Sequence, residues 1–105
     1  MPPQSRSTWK ALERRTAVEI GGIRNGMTGL ATADAESDNL VVECKSWSSM
    51  PKRVVDALKQ AERASGGTKV AVARIHAKNK DGDNDLAVVR WSVMIKLLRH
   101  AGLVP

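Results

Sequence analysis

The chain has 105 residues, 42% of them hydrophobic, with three tryptophans and neither phenylalanine nor tyrosine. Domains usually hold about 100–150 residues, so this length fits one small domain with a thin, mostly aliphatic core and excludes two independent ones. Seventeen Lys and Arg against eleven Asp and Glu give a net charge of +6, which favours a polyanionic partner, nucleic acid first and an anionic membrane surface second.

Cys44 stands alone, which excludes an internal disulfide or a cysteine-rich zinc site and suits a reducing, intracellular compartment. The opening MPPQSRSTWK has no apolar run resembling a signal peptide, and no stretch approaches the ~18 apolar residues of a membrane span. A soluble cytoplasmic protein with no membrane partner is expected.

In chain order, residues 1–7 have the composition of a flexible basic arm, and residues 8–105 form the expected single domain. Thr8 is positioned to cap a first helix, in which Trp9, Leu12, Ala17 and Ile20 recur at helical spacing until Gly21-Gly22 ends it. RNGMTG reads as a glycine-punctuated loop. LATADAES and LVVECKSW then read as two strands joined through Ser37-Asp38-Asn39. SSMPKRVVDALKQAERASGG carries a serine cap, an early proline, an apolar stripe at Met50, Val54, Leu58 and Ala61, and a glycine stop. TKVAVARIHA and DLAVVRWS follow as strands around the polar loop KNKDGDND. Ser92 is placed to cap a last helix closed by Gly102. The order is α-β-β-α-β-β-α, with room for a short extra strand near Ile23, and it implies an α/β fold: a small mixed β-sheet flanked by helices.

Side chains alternate along a strand, so Leu40, Val42 and Cys44 share one face while Val41, Glu43 and Lys45 share the other. Taken alone, Glu43 and Lys45 are a wet-face ion pair. A four-residue turn at Ser37 to Leu40 would set Asp34 directly opposite Glu43, with Asp38 the main competing acid in another register. Two carboxylates so close repel one another, and a proton or a hard cation such as Mg²⁺ relieves the repulsion. A lysine beside them can orient an attacking water and offset charge on phosphate oxygens. Steps of 100° along the first helix put Glu13 in the middle of the apolar stripe, where a carboxylate needs a salt bridge or a metal.

An inward Glu13, then Asp34, then Glu43-Cys44-Lys45 after eight intervening residues resembles the PD-(D/E)XK nuclease superfamily. WKALERR, VVECKSW, the short chain and the basic arm resemble most the small Holliday junction resolvases of archaeal type, also found in phages. The resemblance implies a restriction-endonuclease-like fold in which Glu13, Asp34 and Glu43 bind a divalent metal and Lys45 is the catalytic lysine. The metal would be Mg²⁺, with Mn²⁺ as a substitute. It further implies a homodimer that cuts four-way junctions to leave a 5′-phosphate and a 3′-hydroxyl. Ala33 replaces the proline that often precedes the motif aspartate, and Thr28 is the only hydroxyl where such resolvases often carry a serine. Gln60 stands where many of these nucleases keep a glutamine. Arg6, Lys10, Arg14, Arg15, Arg24, Lys52, Arg53 and Arg63 form the expected phosphate-binding set. Two alternatives stay open: a related nuclease acting on other branched or flapped DNA, and a non-catalytic DNA-binding dimer.

Other signals carry less. DGDNDL fails the EF-hand pattern, because its glycine is misplaced and Ser92 stands where the terminal glutamate belongs, so it reads as a solvated loop. Cys44 falls on the apolar face and reads as a core residue. His76 and His100 end a strand and a helix and need no catalytic role. Trp9 is expected to pack in the interior, while Trp47 could meet DNA or a dimer partner. No phosphate-loop or dinucleotide glycine pattern occurs, so no nucleotide cofactor is expected.

Overall fold

A computed structural model of the chain describes residues 6–25 and 33–105. The elements are α1 (Arg6–Ile20), β1 (Ile23–Arg24), β2 (Ala35–Glu36), β3 (Val41–Val42), α2 (Lys52–Ser65), β4 (Ala73–Ile75), a 3₁₀ turn (Gly82–Asn84), β5 (Leu86–Val88) and α3 (Trp91–His100). The fold is mixed α/β, as expected, and β1 fills the place anticipated near Ile23. Among the described residues the strands form two small antiparallel sheets, β1-β2-β3 and β4-β5, where a single mixed sheet was expected. Each sheet pairs strands that are neighbours in the chain, and residues 37–40 form the tight turn between β2 and β3.

The chain divides into two compact units, one running to Ser48 and including Ile95–Pro105, the other comprising Ser49–Met94. In the first unit α1 packs on β1 and β2. Ala17, Ile20, Ala35, Ile95 and Val104 form its core, with Leu40, Val42 and Leu98 packed against them. Gly21 ends α1 with φ +70°, and the Gly21 and Gly22 N–H groups return to the Val18 and Ala17 carbonyls at 3.1 and 2.8 Å. This closing motif needs a residue free to adopt the left-handed region. Gly22 is needed for another reason: a Cβ there would lie 2.0 Å from the Glu36 carbonyl oxygen, so only glycine lets the chain pass this close to β2.

In the second unit α2 packs on β4, burying Leu58 and Ala73. Arg90 grips Glu62 through two N–H donors at 2.8 and 3.0 Å. Asp85 receives Arg74 Nε and meets His76 Nδ1, both at 2.6 Å, and ties β4 to the residue before β5. DGDNDL is a capped turn, as expected of a loop, with the Asp81 carboxylate accepting the Asp83 N–H. Among the described residues no helix is long and apolar enough to cross a membrane.

The helix starts differ from expectation. α1 begins at Arg6, before Thr8, so residues 6 and 7 belong to the helix and the rest of the proposed arm lies outside the described residues. Pro51, not a serine, holds the N-cap position of α2, and its carbonyl accepts the Val55 N–H at 3.1 Å. Met50 thereby falls outside the helix and is exposed rather than part of its apolar stripe. Ser92 lies inside α3, where the Arg90 carbonyl accepts the Met94 N–H. The Val55 and Met94 bonds are the first i,i+4 bonds of each helix, and α2 starts with no side-chain cap bond.

His76 and then Arg74 hold the Asp85 carboxyl below the ordinary aspartate value of 3.8. A carboxylate with a lowered folded-state pKa stabilises the fold above its unfolded value, and that contribution is lost as pH falls through the folded value. Asp85→Asn is therefore expected to lower the thermal midpoint at pH 6, and the gap to wild type should close below about pH 3.8. Thermal unfolding followed by circular dichroism across pH checks this, and a gap independent of pH would contradict it.

Candidate active site

Register decides what faces what. β2 and β3 pair Ala35 with Val42 and Glu36 with Val41, and the same register continued sets Asp34 opposite Glu43, as the four-residue turn predicted. The Ser37 side chain closes that turn by accepting the Leu40 and Asn39 N–H groups at 3.1 and 3.3 Å, while the Ser37 N–H donates to the Leu40 carbonyl at 2.8 Å. Because Ser37 and Leu40 are a hydrogen-bonded pair, alternation makes 35/42 another. Asp34 and Glu43 then form the closer, non-hydrogen-bonded kind, with Cα atoms ~4.5 Å apart.

Beyond that pair the ladder changes character. In a regular continuation the Cys44 N–H would reach the Ala33 carbonyl. Instead the Asp34 carboxylate accepts the Cys44 N–H at 2.7 Å, and the Asn25 side-chain amide donates to the Ala33 carbonyl at 2.7 Å. Two side chains replace backbone partners, so the regular strands stop here while the backbone stays satisfied. Burial nonetheless alternates as in a strand from Val41 to Trp47, with Val41, Glu43, Lys45 and Trp47 exposed and Val42, Cys44 and Ser46 half-buried.

Glu13, Asp34 and Lys45 line one cleft of about 290 Å³, together with Trp9, Leu12, Cys44, Ser46 and Trp47. Glu13 is half-buried on the inward side of α1, and its Oε2 accepts Arg24 Nε at 2.9 Å. The salt-bridge partner is thus an arginine from β1, the strand laid along α1. Exposed Glu43 faces Asp34, and that neighbour raises its carboxyl above the usual range while Asp34 is lowered. The Cys44 N–H, Lys45 and Arg24 lower Asp34 further, and Lys45 partly offsets the rise at Glu43.

Repulsion between two facing carboxyls is relieved by a proton or by a divalent cation. Among the described residues no group of three or more His, Cys, Asp or Glu side chains is gathered closely enough to hold a metal ion; Glu13 is turned to Arg24. A carboxyl pair open to solvent on one side still fits Mg²⁺, which commonly binds through one or two carboxylates and keeps waters and phosphate oxygens for the rest.

The remaining anticipated residues are distributed as follows. Asp38 is exposed in the hairpin turn and does not line the cleft. Lys10, Arg14 and Arg15 are exposed on α1, and Arg24 faces Glu13. Lys52, Arg53, Gln60 and Arg63 are exposed on α2 in the second unit, with Lys52 paired to Asp56 at 2.6 Å. Thr28 and the side chain of Arg6 lie outside the described residues. Trp9 is not interior: it is 51% exposed at the cleft. Cys44 is half-buried beside it, its Sγ 3.5 Å from the buried Thr16 hydroxyl.

Asn25 and Thr16 were not visible as site residues. Asn25 sits in a run that reads as a turn, and Thr16 in a stripe where its hydroxyl looks out of place. Thr16 is accommodated because that hydroxyl donates to the Leu12 carbonyl at 2.8 Å. Comparison with protein-family models, with curated proteins and with solved structures gives no match to this chain.

Asp34→Ala is expected to speed hydrogen exchange at the Cys44 amide, and Asn25→Ala to cost about 1 kcal/mol of stability. Amide exchange by NMR and urea unfolding read these. An unchanged Cys44 amide in Asp34→Ala would contradict the side-chain ladder.

Proposed function

We propose that the protein is a metal-dependent DNA endonuclease, a structure-selective enzyme of the PD-(D/E)XK kind that cuts four-way junctions. The observation that carries this reading is the hairpin register, which sets Asp34 against Glu43 with Lys45 on the exposed face and Glu13 in the same cleft. A net charge of +6 suits a DNA substrate. Asp34 and Glu43 would hold Mg²⁺ or Mn²⁺, and Glu13 would join them as a further ligand only on leaving Arg24; the ion, when bound, would supply positive charge to the scissile phosphate and to the attacking water.

The chain's own groups do the rest. The Cys44 N–H fixes the Asp34 carboxylate, so its orientation is set before substrate arrives. The Lys45 ammonium donates to the attacking water and to a phosphate oxygen, directing addition at phosphorus in line with the departing 3′-oxygen. Arg24 anchors Glu13 and brings positive charge beside the cleft. Lys10, Arg14 and Arg15 on α1 offer phosphate contacts along the strand. Symmetric incision of a junction needs two sites of opposed polarity, which a C2 homodimer in the cytoplasm would supply.

A second reading, a non-catalytic DNA-binding protein, is favoured by one observation: Glu13 is already engaged by Arg24. A labelled four-way junction and matched linear duplex, each with Mg²⁺ or EDTA, separate the two. Wild type is expected to make paired, Mg²⁺-dependent cuts near the branch, and Lys45→Ala to cut at least ~100-fold more slowly. Tight junction binding without cutting would establish the second reading, and equal cutting of duplex would remove the junction preference.

A further inference from the structure

Two tryptophans from different elements stand at the cleft. Trp9 on α1 is 51% exposed and Trp47, beyond β3, is 66% exposed, over the half-buried Leu12 and Cys44. Large aromatic side chains normally bury most of their surface, so two left open at one small cleft mark a surface made to be covered. Trp47 follows Lys45 by two residues on the same exposed face, about 7 Å along the strand. Among the described residues, Lys45 is the cation that lines the cleft with the two rings. Flat aromatic faces next to cations complement a nucleotide, whose base stacks while its phosphate seeks the charge. A cleft of about 290 Å³ lies just below the ~300–1,000 Å³ range of ligand pockets, a size for a single ring system.

We infer that Trp9 and Trp47 receive one unpaired nucleobase of the DNA strand, stacking it beside the carboxyl pair while Lys45 meets its phosphate. The inference rests on the nuclease reading for the identity of the polymer, and it narrows the substrate class to DNA with a base already free of the helical stack. In matched duplex every base is stacked and must first be extruded, which costs free energy that a branch point or unpaired position spares.

The test places 2-aminopurine at the single unpaired position of a branched oligonucleotide, with the full-length protein in EDTA. Wild type should quench its fluorescence on binding. Trp9→Ala and Trp47→Ala should remove the quenching and weaken binding roughly 5- to 100-fold, leaving affinity for matched duplex unchanged. Trp9→Phe and Trp47→Phe, which keep a stacking face, should retain most of both. An unquenched probe in wild type, or equal weakening on duplex, would overturn the inference. So would loss of a dimer in sedimentation with DNA binding intact. The same samples in Mg²⁺ keep the two proposals apart: quenching without cleavage would sink the nuclease and keep the stacking site, and cleavage without quenching would do the reverse.

Discussion

The Ser37 side chain, accepting the N–H groups of Asn39 and Leu40, fixes where β3 begins relative to β2, and everything in the cleft follows from that turn. A slip of one residue would send Glu43 and Lys45 to the opposite face and bring Val42 and Cys44 into solvent. The hydrophobic pattern opposes such a slip, because Ala35 is fully buried and Val42 packs on the same core. Turn chemistry and burial therefore select one register, and it places two carboxyls against each other at the surface of a small, basic protein.

That placement has an electrostatic cost, which the surroundings offset unequally. Asp34 is favoured as a carboxylate by a backbone N–H and by Lys45 and Arg24; Glu43 has only Lys45 and bears the repulsion. Glu13 is balanced separately by Arg24. One more positive charge beside Asp34 and Glu43 would relieve the repulsion that Glu43 bears, and the proposed metal site rests on this. The arrangement also explains why the strands end early, since Asp34 and Asn25 have exchanged regular ladder bonds for side-chain ones.

Much of this was legible in the sequence because the signals are local. A four-residue turn gave the Asp34–Glu43 pairing, the period of 100° put Glu13 inward, and paired glycines ended α1. What was not legible depends on contacts between distant segments. The separation into two sheets is a matter of which hairpins pair, on which local patterns are silent. Trp9 follows the helical period of a core residue, yet it lies near the start of α1 over the cleft, beyond the reach of the Ala17–Ile20 core. The serines before Pro51 and Ser92 read as caps, but Pro51 itself holds the N-cap position of α2 and Ser92 lies inside α3. Arg24 as the partner of Glu13 required knowing that β1 runs back along α1.

The central claim is that the Asp34–Glu43 pair holds a divalent cation. Titration of the metal-free protein with Mn²⁺, followed by electron paramagnetic resonance, tests it without any DNA present. Saturable binding in wild type and in Asp38→Asn, lost in Asp34→Asn and in Glu43→Gln, is the predicted result. Binding that survives both substitutions in the pair, or that wild type lacks altogether, would contradict it.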